Sequence, residues 1–257
     1  MRLPTLFISH GAPTLALEEG ADARFLASLP ARFATPRAVL VVSAHWQARQ
    51  PVIGSAAQPA TIHDFSGFPA PLYGLQYPAH GSHEGVAELA GALDKAGIAY
   101  AVDDMRGLDH GAWVPLKHMW PDASVPVLTL ALPYGADAKA LLALGDALSG
   151  LPAQGVLVLG SGGLVHNLAA LQADGSLAPQ WALAFEAWMD DALQSGRREG
   201  LLDWQQQAPH ARQAHPSSEH LAPLFVALGA AGPAARAHKW HEAWRYGSLS
   251  MAAYAFV

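Results

Sequence analysis

A three-layer α/β fold, with helices on both faces of a central, largely parallel or mixed sheet, is what this sequence predicts, and three observations predict it. Short β-branched runs alternate along the chain with segments of helical period. One run, Val39-Leu40-Val41-Val42, is apolar without a break, as suits a strand buried on both faces. No repeat and no Pro-, Gly- or Ser-rich linker divides the 257 residues, so 1–257 reads as one domain, with a second helix-rich lobe after Gln180 left open.

The elements follow in order. A strand is expected from Thr5 to Ser9, a helix from Ala21 to Leu29 and a second strand from Ala38 to Ser43. A helix from Glu84 to Ala96 precedes a strand from Val127 to Leu132, and a helix from Ala136 to Leu148 precedes a strand from Val156 to Gly160. The last long helix runs from Gln180 to Ser195. Lys139, Gly145 and Asp146 interrupt the Ala/Leu-rich segment before Leu148 as they would an ordinary packed helix. No apolar run approaches bilayer length, and Met1-Arg2-Leu3-Pro4 leads into a strand without a secretory signal, so a cytoplasmic protein without a membrane partner is expected.

Composition narrows the chemistry. Hydrophobic residues make up 51% and charged residues 14%, which describes a globular chain. A net charge of −6 without any basic run argues against nucleic acid. There is no cysteine, so any metal site must be built from His, Asp and Glu.

Four of the 13 histidines sit in turn-flanked motifs: Ser9-His10-Gly11-Ala12-Pro13, Ser43-Ala44-His45-Trp46, Gly162-Gly163-Leu164-Val165-His166-Asn167 and His215-Pro216-Ser217-Ser218-Glu219-His220. The first two close apolar runs and the third lies just past one. Open α/β sheets place ligands at strand ends, and neutral imidazoles delivered from separate strands can converge on one ion. The plain alternative is four scattered polar residues. His80, His83 and the pair His238 and His241, at helical spacing, rank below this cluster, while His215 opens the segment that delivers His220.

Two loops add candidates. His63 to Tyr73 carries Asp64, Phe65 and Phe68 and, with so many aromatics, reads as a lid over a pocket. In Gly107-Leu108-Asp109-His110-Gly111-Ala112-Trp113, Asp109 is placed to cap a helix and His110 to project from its first turn. Gly160-Ser161-Gly162-Gly163 matches neither a dinucleotide fingerprint nor a P-loop, and it is not the elbow of a serine hydrolase, so Ser161 is a poor nucleophile. Its glycines are expected to form a tight turn that aims His166.

Taken in order, these segments resemble the DODA-type extradiol ring-cleaving dioxygenases, the LigB-like class III group of non-haem iron enzymes. The resemblance also takes in Glu219-His220-Leu221-Ala222-Pro223-Leu224 and Tyr246-Gly247-Ser248-Leu249-Ser250-Met251, the latter matching a C-terminal strand of the group. It implies a LigB-like fold, a catechol such as DOPA and O2 as substrates, and Fe(II) as the active metal. It implies His10, His45 and His220 as metal ligands, His166 as acid/base and fourth ligand when substrate is absent, and His110 on the substrate and oxygen side. Trp46, Asp64, Phe65 and Phe68 would line the substrate pocket. Wider class III enzymes complete a facial triad with a carboxylate, which keeps Glu219 as the alternative to its neighbour His220. On a helix the two would point roughly 100° apart, so one ion would not take both. Zn(II) would enter the same site readily. A zinc-dependent hydrolase and a non-catalytic, Memo-like binding protein remain as other readings of the cluster.

Overall fold

The computed structural model describes residues 2–257. Eight strands form one sheet: β1 (Thr5–Ser9), β2 (Ala38–Ser43), β3 (Val52–Gly54), β4 (Ala101–Asp103), β5 (Val127–Leu130), β6 (Val156–Gly162), β7 (Ala237–His241) and β8 (Ala253–Phe256). Their spatial order is β4-β3-β5-β2-β6-β1-β8-β7. The four central strands run parallel, whereas β3 joins β5, β8 joins β1 and β7 joins β8 in antiparallel fashion, so the sheet is mixed.

Alternation along the central strands sorts the core into two layers, because successive side chains leave opposite faces of a strand. Phe7, Leu40, Val42, Val156 and Val158 face one core, shared with helices α2 (His83–Lys95), α4 (Ala138–Ala147), α5 (Gln180–Gln194) and α6 (Ala222–Ala231). Leu6, Ile8, Val39, Val41, Leu157 and Leu159 face the other, shared with α1 (Ala21–Ser28) and α3 (His110–Met119). The helix-rich segment after Gln180 adds Phe185, Met189, Trp204 and Leu224 to the first core and so packs on the same sheet. No helix among the described residues is long and apolar enough to cross a membrane.

Several expected boundaries differ. The run Val127 to Leu132 splits after Leu130, and Leu132–Pro133 pairs instead with Gln47–Ala48, since Pro133 has no N–H with which to extend the central ladder. The expected C-terminal strand at Tyr246 to Met251 is part of a hairpin in which Trp244–Arg245 pairs with Leu249–Ser250 across a left-handed turn at Tyr246 and Gly247. The sheet strand follows at β8. His238 and His241 lie on β7 and not on a helix. Strands β3 and β4, three residues each, are too short to announce themselves by periodicity.

A polar tie joins α1 to the far end of the chain. Asp22 accepts hydrogen bonds from His241 Nε2 at 2.7 Å and Arg245 Nη1 at 3.3 Å. Burial alone would raise its carboxyl, but these two donors more than offset that and hold it below the usual range. A carboxylate with a depressed folded pKa contributes stability above its unfolded pKa, near 4, and loses it as pH falls through the folded value. Asp22→Asn is therefore expected to cost about 1.5–3 kcal/mol at pH 7, several degrees in Tm, with the gap to wild type closing below about pH 4. Thermal melts from pH 3 to 7 check this, and a pH-independent gap refutes it.

Candidate metal centre

Three neighbouring parallel strands, β2, β6 and β1, end side by side, and each is followed at once by a histidine-bearing turn. His10 is the first residue after β1 and His45 the second after β2. His166 follows β6 by a four-residue step, its backbone N–H donating to Ala214 O at 3.0 Å. His110 opens α3, and His220 sits in the turn before α6, not on a helix as expected.

These five rings meet in one place. Ring centroids stand 4.9 Å apart for His10 and His45, 4.0 Å for His45 and His110, and 4.9 Å for His45 and His220. His166 stacks on His220 at 3.4 Å. By ligand-atom distance they form two sets, His10 with His45 and His110, and His166 with Glu219 and His220. The expected set of His10, His45 and His220 draws on both.

Backbone crowding explains how the segments come this close. A Cβ on Gly162 would stand 2.0 Å from the His220 carbonyl oxygen, and one on Gly111 would stand 2.5 Å from Ser43 Oγ. The Gly162-Gly163 pair thus admits the His220 turn, with Gly163 N–H donating to His220 O at 2.9 Å, and does not serve His166 alone. His215, outside the ring cluster, packs against Phe185 and Trp204 and donates Nε2–H to Leu164 O at 2.8 Å, which braces the turn ahead of His166.

Hydrogen bonds behind the rings set their tautomers. Ser161 Oγ donates to Gly111 O and so accepts Nδ1–H of His10 at 3.1 Å, leaving His10 Nε2 with a free lone pair. Glu219 Oε1 accepts from His220 Nδ1 at 3.1 Å and from Ser217 Oγ, which likewise frees His220 Nε2 and turns Glu219 to the back of that ring. Hydrogen bonding from His220, against an opposing push from burial, lowers the Glu219 carboxyl to about 2. Asp64 accepts the His110 backbone N–H at 2.9 Å, and His110 Nδ1 lies 3.0 Å from the same oxygen, too far off axis for a hydrogen bond.

Burial, reinforced by mutual repulsion of neighbouring imidazolium charges, pushes His10 and His45 well below the usual histidine range and His166 to about 3. The three are neutral at pH 7. His10 Nε2 and His45 Nε2 approach to 3.0 Å, where two bare lone pairs repel unless a proton or a cation lies between them. Two nitrogens about 2.1 Å from one ion would stand roughly 3–3.4 Å apart. An all-nitrogen donor set, with Ser161 behind His10 and Glu219 behind His220, fits a divalent first-row metal.

The remaining candidates divide. Phe65 and Phe68 line a cavity of about 380 Å³ that opens from the histidines, together with Leu168, Leu171 and Met251. Asp64 does not line it and instead holds His110 from behind. Trp46 is also outside, covered by the Arg106 guanidinium at 4.9 Å, because the residue after His45 faces away from it. Asp109 makes no side-chain cap to α3, for its carboxylate is taken by Ser43 Oγ and Arg106, and Asp64 meets the first N–H of that helix in its place. Ser161 was missed as a site residue. A polar side chain at the end of the most central strand was the available signal.

Comparison with known proteins agrees with this geometry. Residues 4–257 match the family described as the catalytic LigB subunit of aromatic ring-opening dioxygenase. The chain is 41% identical to a 4,5-DOPA dioxygenase extradiol of Beta vulgaris over 98% of its own length and 96% of that protein's. It is 34% identical to a protein of that name from Escherichia coli K12, covering 89% of this chain and 85% of that one. A crystal structure of an uncharacterized Escherichia coli K12 protein superposes over the whole of both chains with a TM-score of 0.83 at 29% identity.

The tight seat at Gly162 has a measurable cost. Gly162→Ala should destabilise the fold by about 1–3 kcal/mol, since the facing atom is backbone and cannot swing aside. Gly91→Ala, on α2 with open space around it, should instead stabilise by roughly 0.5–1 kcal/mol. Chemical denaturation of the two variants tests the contrast, and an unchanged stability for Gly162→Ala contradicts it.

Proposed function

This chain belongs to the LigB family of aromatic ring-opening dioxygenases, and from that premise we propose that it opens a catechol beside its two hydroxyls, the extradiol position, with O2 at a non-haem Fe(II) site. DOPA, for which the relatives above are named, is the reference catechol. The observation that carries this reading is the meeting of five imidazoles at adjacent strand ends, with the lone pairs of His10 and His220 freed toward one another's side by partners behind them.

His10, His45 and His220 would hold the metal, with His166 a fourth donor before substrate arrives. Bound there, Fe(II) would supply Lewis acidity toward a catechol and a redox change with O2. Zn(II) would fit the same nitrogens and has no accessible redox change. The protein's part is to position and to move protons. His166, neutral at pH 7, accepts a phenolic proton, and the phenolate left beside it favours the imidazolium so formed. His110 faces the cavity on the other side, its backbone N–H fixed by Asp64. Phe65 and Phe68 cover the ring and keep water from the opening product. A zinc hydrolase would use the same cluster to activate water and a Memo-like protein would merely bind, but the ring-opening family match weighs against both.

Fe(II)-reconstituted protein should consume oxygen with a catechol and give a ring-opened, coloured aldehyde acid, while the zinc form stays inactive. Turnover under argon, or equal turnover with zinc, would favour the hydrolase. His10→Ala and His45→Ala should each lose most of the bound metal, and full occupancy in either overturns the ligand assignment.

His166→Gln separates two roles. If the ring is chiefly an acid/base, metal and catechol still bind while single-turnover rates fall by roughly 10²–10⁴-fold. Loss of iron together with activity marks an obligatory ligand. Normal iron with near-normal turnover rules out both.

A further inference from the structure

Beyond its histidine end, the cavity is an apolar chamber. Phe65, Phe68, Val165 and Met251 form its walls, and Leu168 and Leu171, both exposed, form its mouth. The polar side chains in the wall other than the histidines are Ser9, Ser250 and Tyr246. Two of these are already engaged: Ser9 Oγ donates to Ala252 O and accepts from Leu164 N, and Ser250 Oγ accepts from Ala252 N. No charged side chain is among the residues described as lining it.

Charges behind the wall sharpen the point. Arg106 pairs with Asp109, and Arg245 with Glu18 and Asp174, and neither arginine is among the residues that line the chamber. Asp64 and Glu219, each turned to the back of a histidine, add negative potential at the polar end. An ammonium or carboxylate carried into this space sheds water and finds no oppositely charged side chain in the wall, which is costly. A buried methylene instead gains about four-fold in binding.

Resting on the catechol reading above, we propose that this site selects catechols whose ring substituent is uncharged and apolar, such as a short alkyl chain, over catechols that carry an amino-acid or carboxylate group. On this reading DOPA, for which the relatives are named, is not the catechol this chain prefers. The volume of about 380 Å³ lies toward the small end of ligand sites, enough for one ring and a short substituent.

A pair of near-isosteres tests this. With the Fe(II)-loaded enzyme, kcat/KM for 4-propylcatechol should exceed that for DOPA by about 10-fold or more. Dopamine, with only the ammonium, and 3-(3,4-dihydroxyphenyl)propionate, with only the carboxylate, should both fall below propylcatechol. DOPA or either singly charged analogue equal to or better than propylcatechol overturns the proposal. Leu171→Arg, at the exposed mouth, should move the propionate-to-propylcatechol ratio about 10-fold toward the propionate, and an unmoved ratio counts against the proposal. If no catechol is cleaved, the dioxygenase reading fails, but anaerobic calorimetry of propylcatechol and DOPA with the same protein still decides the preference.

Discussion

The 3.0 Å approach of His10 Nε2 to His45 Nε2 is the constraint around which the molecule is arranged. Two bare lone pairs repel at that distance, so the pair is held either by a neutral N–H···N hydrogen bond from His45 to His10 or by a cation between them, and burial disfavours the imidazolium form of either ring. The surrounding structure holds the arrangement rigidly. The rings leave from strands separated by one other strand, β6, whose Ser161 anchors His10 from behind and ties the same hydroxyl to the backbone of Gly111 in α3.

A polar cluster of this kind is expensive in a fold with so apolar an interior, and the partners behind it offset the cost. Ser161, Glu219 and Asp64 each meet a group on the outward side of a different histidine. The glycines do the complementary work of removing side chains where backbones must touch, as Gly162 does beneath His220. Ser161, Glu219 and Asp64 do not line the cavity, yet the directions of His10 and His220 and the seat of His110 depend on them.

The cavity then divides by polarity. Its inner end offers nitrogen donors backed by carboxylates, and its outer end offers Phe65, Phe68, Leu168 and Leu171. A bound aromatic would lie across that boundary, its oxygens toward the histidines and its ring edge toward the apolar wall. Because Phe65 lies 5.8 Å from His110 and 5.5 Å from Phe68, the loop that carries them serves as both wall and cover.

Much of this was legible in the chain itself. Val39-Leu40-Val41-Val42 determined a buried central strand because both faces of such a strand must be apolar, and the histidines after β1 and β2 were readable because a strand followed by a turn is a local pattern. What tertiary structure alone decided is non-local. Asp64 looked like pocket lining and became the brace of His110, 46 residues away, while Trp46 looked like pocket wall and packs beneath Arg106. Ser161 was discounted as a nucleophile and proved to set the tautomer of His10. Sequence fixes which residues follow which strand, but the partner behind a side chain depends on strand order and helix packing, and neither is written in any one segment.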